Sequence, residues 1–282
     1  MTALLRSSVV GFVMTVSLAV AQEAKWTGGL SEEEFQKLHQ LKPEDAPAPK
    51  GVMVDLADGT KAYLALPKDA KPGLPVVIVL HEWWGLNGHI KNWADRFTTT
   101  GRAALAVDLY GGQVAADPAT AQKLMKAALA DEEKLAAKMV AACDFAKSDA
   151  RLKTTKLASI GWCFGGRMSL QLAIHEPDLA AAVMYYGFPV DDVATLKKIK
   201  APLLGLFGKN DKSIGPPAVT KFDAELTEAG VTHTIQSYDA NHAFANPSGA
   251  NYDAKSAAAA WEQVQKFLDE KLPVGEKTPA AK

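Results

Sequence analysis

Two periods of hydrophobicity run through the chain, and their alternation predicts the architecture. Residues 51–67, "GVMVDLADGTKAYLALP", alternate around a turn at Asp58 and Gly59 and read as two strands. Residues 75–82, "PVVIVLHE", are a continuous β-branched run, the mark of a strand buried on both faces. Ile90, Trp93 and Phe97 then recur at helical spacing up to Gly101. A strand at 103–110, two alanine-rich helices, a strand at 156–162 and a helix from about Gly165 to His175 follow. "AAAVMYYG", "APLLGLFG" and "THTIQSY" are three more strands, and Ala257, Trp261, Val264 and Leu268 line a closing helix. Strands alternating with helices predict one α/β domain over residues 51–272, a mostly parallel sheet covered on both faces, with a tail at 273–282.

The ends carry a different pattern. Arg6 precedes an apolar run over 9–21 that closes on Ala-Val-Ala. This reads as a secretory signal cleaved before Gln22, since the run is shorter than the roughly 20 residues a bilayer span needs. Ser31-Glu32-Glu33-Glu34 is a capping box opening a short helix, and "PEDAPAPK" is an extended linker, so residues 22–50 form an arm. An exported product is expected, periplasmic or secreted, with no stable membrane anchor once the signal is gone.

Charge changes this picture little. The formal net charge is −1, and removing Arg6 leaves 30 basic against 32 acidic residues, which gives no reason to expect a nucleic-acid partner. Export places the two cysteines, Cys143 and Cys163, where a disulfide would be permitted. Cys143 falls on a helical stripe with Leu135, Met139, Ala142 and Ala146, however, and reads as a core residue without a bridge to Cys163.

In a sheet of this kind functional groups gather beyond the carboxyl ends of the strands. Cys163 lies in "GWCFGG", with strand before and helix after, which is the nucleophile-elbow pattern with cysteine for serine. The competing reading is a glycine loop cradling phosphate, or tight packing alone. His242, in "DANHAF" after the last strand, is the better-placed base. His233 alternates with Val231 and Ile235 as a strand residue, while His39, His89 and His175 fall on surface patterns. Asp211 in "GKND" would fix the imidazole's tautomer, with Asp191 and Asp192 as competitors. Glu82 in "HEWWG" ends a buried strand beside two tryptophans, which calls for a partner. The backbone N–H groups of Trp83 and Phe164 would form an oxyanion hole.

With these segments, "DLYGG" at 108–112, "YYG" at 185–187 and "NHAFAN", the chain resembles the dienelactone hydrolase family of α/β-hydrolases over nearly the whole domain. The resemblance implies a Cys163–His242–Asp211 triad that opens esters or lactones, and a Glu82 that contacts the thiol and helps activate it when substrate arrives. Members that cleave dienelactone use two arginines for the substrate carboxylate, and the matching positions here are Gly112 and Asn246. Arg167 and Lys209 lie nearby in sequence. Trp83, Trp84, Tyr110, Tyr185, Phe188 and Phe244 suggest an aromatic-lined pocket instead. The expected activity is hydrolysis of a small ester or lactone through a thioester, with no metal or organic cofactor. There is no HExxH or CxxC pattern, and the glycine spacing is not a dinucleotide fingerprint. Peptide cleavage fits poorly, because a tetrahedral adduct with an amine leaving group expels thiolate first. The rivals are a peroxide-reactive thiol, which needs a resolving cysteine, and a silent binding domain on the same fold.

Overall fold

The computed structural model describes residues 48–274. The signal run, its cleavage point and the capping box at Ser31 lie outside the described residues.

Eight strands form one sheet: β1 (Val52–Asp55), β2 (Lys61–Ala65), β3 (Val76–Leu80), β4 (Ala103–Val107), β5 (Leu157–Trp162), β6 (Ala181–Tyr185), β7 (Leu203–Gly208) and β8 (His233–Tyr238). Their order is β1-β2-β4-β3-β5-β6-β7-β8. From β4 to β8 every pairing is parallel, while β1 and β2 form an antiparallel edge that pairs with β4. Parallel strands need crossovers. These are α1 (Gly88–Thr98), α2 (Pro118–Leu129), α3 (Glu132–Ser148), α4 (Phe164–His175), α5 (Val193–Leu196) and α6 (Pro216–Ala229), and α7 (Ala254–Lys271) closes the chain.

The helices divide between the two faces as the strand pleat dictates. Val76, Ile78 and Leu80 of β3 join Met139 and Cys143 of α3, Met168 and Leu172 of α4, and Phe222 and Leu226 of α6 in one core cluster. Val77 and Val79, one residue out of phase, join Ile90, Trp93 and Phe97 of α1 and Trp261, Val264 and Leu268 of α7 in the other. Both cysteines are free thiols, and Cys143 is wholly buried in the first cluster. No helix among the described residues is long and apolar enough to cross a membrane.

The structure adds two helices that the hydrophobic pattern does not single out. α5 has only four residues, capped by Asp192. α6 buries Val219, Phe222 and Leu226, and its Pro216 and Pro217 occupy the first turn, where no N–H has an intrahelical partner. The buried runs at 75–82 and 103–110 also stop being strand earlier than the apolar pattern does, at Leu80 and Val107. His81, Glu82 and Asp108 thereby fall in loops beyond the strand ends.

What positions the site is the approach of α4 to the sheet. A Cβ on Gly161 would stand 2.0 Å from the Gly165 carbonyl oxygen, and one on Gly165 would stand 2.1 Å from that of Leu80. One on Gly166 would stand 2.4 Å from the Tyr185 oxygen. The obstacle is backbone in each case, so no side chain can move aside. Gly165→Ala should therefore lower the unfolding free energy by about 1–3 kcal/mol, as overpacking at a rigid contact does. Urea denaturation checks this, and a midpoint equal to wild type would mean that α4 can back away from the sheet.

Candidate active site

Cys163 joins β5 to α4 with φ 55° and ψ −116°, in the left-handed half of backbone space that side chains avoid. Its amide donates to the Tyr185 carbonyl at 3.0 Å, and its carbonyl accepts from the Arg167 amide at 3.2 Å. Trp162, just before it, is wedged against Trp93 and Tyr185, with ring centroids 4.6 and 5.7 Å away. Of five non-glycine residues with positive φ among the described residues, two others also belong here: Tyr186 (36°) and Ala243 (61°). Strain gathers where surrounding structure over-determines the backbone, and here it gathers around one thiol.

His242 stands on the loop after β8. Its Nδ1 meets Asp211 Oδ2 at 2.6 Å, while Asp211 Oδ1 accepts from the amides of Ser213 at 2.7 Å and Ile214 at 3.0 Å. Nε2 is left for the thiol. Burial pulls the imidazole down, but the Asp211 hydrogen bond and the nearby Cys163 outweigh it and hold His242 well above its usual value. Burial would raise Asp211, yet its bond to His242 and the two amides bring it below the usual carboxylate range. The rival acids are engaged elsewhere, Asp192 capping α5 and Asp191 pairing with Lys221. His233 sits at the start of β8, bonded to the Val231 carbonyl at 2.7 Å and Asp223 at 3.1 Å.

Glu82 is buried and turned toward Asn246, whose Nδ2 donates to its Oε2 at 2.6 Å. Burial raises its carboxyl to about 7, against the pull of His242's charge and the Asn246 bond. Among the described residues no hydrogen bond joins it to Cys163, and the thiol contact that the family resemblance implies belongs to the substrate-bound state. His89, expected on the surface, instead has a buried side chain with Nε2 3.9 Å from Glu82 Oε2. α1 starts right after the "HEWWG" loop, and its first turn faces back into the site.

The backbone amides of Trp83 and Phe164 donate to no other group among the described residues. Phe164 is the first residue of α4, so its N–H has no intrahelical acceptor, and no side chain caps that end. The Trp83 loop is placed by Gly85, at φ 92°, whose Cβ would strike the Gln113 carbonyl oxygen at 2.5 Å.

The expected pocket needs correction. Tyr185 and Phe244 are fully buried and offer no surface to a substrate. Tyr185 lies within β6, facing Trp162, and Phe244 packs against Tyr185, Tyr186 and Tyr238. The ring nearest His242 is that of Tyr186, 5.1 Å away, one residue beyond the strand end where alternation no longer holds. Tyr110 is nearly buried against His81 and Phe164, whereas Phe188 is 48% exposed. Trp83 and Trp84 are half-buried and meet edge-on at 5.1 Å. Gly112 is a turn residue at φ 88°, bonded through its amide to Asp108. Arg167 is turned to Glu132 at 3.1 Å, and Lys209 is exposed.

The family model for the dienelactone hydrolase family matches residues 60–272. The chain belongs to the dienelactone hydrolase family. It is 33% identical over 219 residues to protein usf of Aquifex pyrophilus, covering 75% of this chain and 94% of the relative. Among solved structures it matches a dienelactone hydrolase-like promiscuous phosphotriesterase from metagenomic libraries with a TM-score of 0.73 and 26% identity, over 79% of this chain and 98% of the other. The protein is thus a hydrolase of this family on an α/β-hydrolase fold.

The Asp211–His242 pair carries a pH signature. Its contribution to stability is complete where Asp211 is ionised and the unfolded imidazole is also protonated, below the usual histidine value of 6.5. It fades as pH rises from there toward about 10, and is lost again in acid as Asp211 protonates. The stability difference between wild type and Asp211→Asn should be largest near about pH 5–6 and shrink steadily above about pH 7. Chemical denaturation across that range measures it, and a difference that grew with pH would show that the imidazole is not held protonated.

Proposed function

We propose that the protein is an exported esterase or lactonase for small uncharged substrates, acting through a Cys163 thioester. The observation that carries this reading is the Cys163 thiol at φ 55° on its elbow, facing an imidazole fixed by Asp211 at 2.6 Å. Nε2 of His242 takes the thiol proton, and the sulfur bonds to the carbonyl carbon. The resulting oxyanion rests on the amides of Trp83 and Phe164. The carbon–oxygen bond then breaks, His242 returns its proton to the leaving alkoxide, and an acyl thioester remains. Water attacks the thioester as His242 accepts its proton, releasing the acid and restoring the thiol. Glu82, bonded to Asn246 at rest, contacts the thiol when substrate arrives and helps activate it.

The substrate class follows from what surrounds Glu82. Asn246 supplies one neutral donor at a position where dienelactone-cleaving members resemble each other in carrying arginine, and Gly112 supplies no side chain at all. A substrate carboxylate entering here would lose hydration with no guanidinium fork in return. The half-buried Trp83 and Trp84 and the exposed Phe188 give an apolar approach instead. Export rests on the apolar run at residues 9–21 ending in Ala-Val-Ala. A thiol-redox role has less support, because a resolving thiol must be reachable and Cys143 is wholly buried in α3.

The test compares wild type with Cys163→Ser on aryl esters and lactones, with and without a free carboxylate. The variant is expected to lose about 10³-fold or more in kcat/KM. Neutral substrates should be favoured by about tenfold or more over their carboxylated analogues. Equal turnover by both proteins would remove Cys163 from the chemistry, and a preference for carboxylates would overturn the substrate class.

A further inference from the structure

We propose that His81 is the positioning residue of the oxyanion-binding loop, aiming the Trp83 amide by clamping the other end of the same peptide unit. The inference rests on the thioester mechanism above.

His81 is wholly buried one residue past β3. Its Nε2 takes the Leu109 amide hydrogen at 3.2 Å, which a protonated nitrogen could not accept. The ring proton therefore sits on Nδ1, which donates to the Glu82 carbonyl at 2.6 Å. That carbonyl also accepts the Gly85 amide at 3.2 Å, so both of its lone pairs are engaged. The Glu82–Trp83 peptide is planar and trans, and the Trp83 N–H points opposite to the carbonyl so held. It cannot swing without breaking the clamp.

The clamp is itself anchored. Leu109 follows Asp108, whose carboxylate accepts from the Tyr110 amide at 3.0 Å and from the Gly112 amide, and Lys138 holds the Leu109 carbonyl at 3.1 Å. The imidazole face lies 5.8 Å from Phe164, whose amide is the second donor, with Tyr110 edge-on at 4.6 Å. One ring thus clamps the loop that carries the first donor and stacks on the side chain of the residue that carries the second. Burial pulls His81 down to about 4 against the pull of the Glu82 carbonyl, so the imidazole stays neutral and keeps this tautomer across the working range.

Wild type, His81→Phe and His81→Gln should be compared by ester turnover and by alkylation of Cys163 with iodoacetamide, which creates no oxyanion. His81→Phe keeps the ring's bulk but not its hydrogen bonds. It is expected to lower kcat by about 10²-fold with little change in KM, while alkylation stays within about twofold of wild type. His81→Gln, which can still donate and accept, should recover most of the loss. Turnover of His81→Phe close to wild type would overturn the proposal, as would parallel loss of turnover and alkylation. If wild type itself showed no Cys163-dependent turnover, the thioester mechanism would fail and this role with it. Should His81→Phe not fold, nitrogen-15 NMR of the wild-type ring decides: a proton on Nδ1 from about pH 5 to 8 is required, and a proton on Nε2 overturns the clamp.

Discussion

The site depends on how closely α4 can approach the ends of β3, β5 and β6. Three glycines permit contacts in which an added methyl group would lie 2.0–2.4 Å from backbone oxygen. The chain must turn from strand to helix within one residue, and that residue is forced to φ 55°. A thiol is thus presented at the end of a buried strand, where glycines at 161, 165 and 166 let strand and helix close on each other. The same turn leaves the first amide of α4 without an acceptor, so the proposed nucleophile and the proposed anion-binding donor have a single geometric cause. Relaxing the contact would give up both.

A second constraint joins the two loops that face this elbow. Glu82 lies beyond β3 and Asn246 beyond β8, and their 2.6 Å hydrogen bond bridges 164 positions of sequence. Asn246 is held in turn by donating through its own amide to Ala243 and by accepting from Ser248 and Gly249. Ala243, at φ 61°, adjoins His242, so the bond that holds Glu82 also braces the histidine loop. A buried carboxylate with a partner costs far less than one without, and here the partner is neutral. Burial accordingly raises Glu82 to about 7.

Much of this was legible before any coordinates. Continuous β-branched runs marked the central strands, and the glycines around Cys163 announced a tight elbow, because both signals are local. Asp211 and His242 followed from the positions of strand ends, since only residues just past a carboxyl end can meet. The signals failed where parity or distant packing decides. Tyr185 and Tyr186 are both wholly buried in one core cluster, yet the strand ends between them and only the second turns its ring to His242, 5.1 Å away. His89 looked like a surface residue because helical periodicity describes a helix's faces and not what its first turn faces. Asn246 could be read only as a missing arginine, since its bond to Glu82 joins residues far apart in the chain. His81 carried no pattern of its own beyond preceding Glu82, and the role proposed for it rests on the Leu109 amide brought alongside by β4.

The charge balance around Glu82 bears on the substrate class proposed above. Its carboxyl is already raised by burial, and His242's charge is the strongest influence opposing that rise. In the resting arrangement His242 is shared among Asp211, Cys163 and Glu82, all of which bear negative charge when ionised. A substrate carboxylate would add another anion to a site where His242 already faces three acidic groups and an amide stands where a guanidinium would be needed. Glu82 would then take up a proton, or the substrate would pay the full cost of an unpaired buried charge. An ester without formal charge meets neither penalty, and it places negative charge only on the carbonyl oxygen during attack, where two otherwise unengaged amides wait. Under the proposed thioester mechanism the site would receive charge as it develops, and not charge that the substrate already carries.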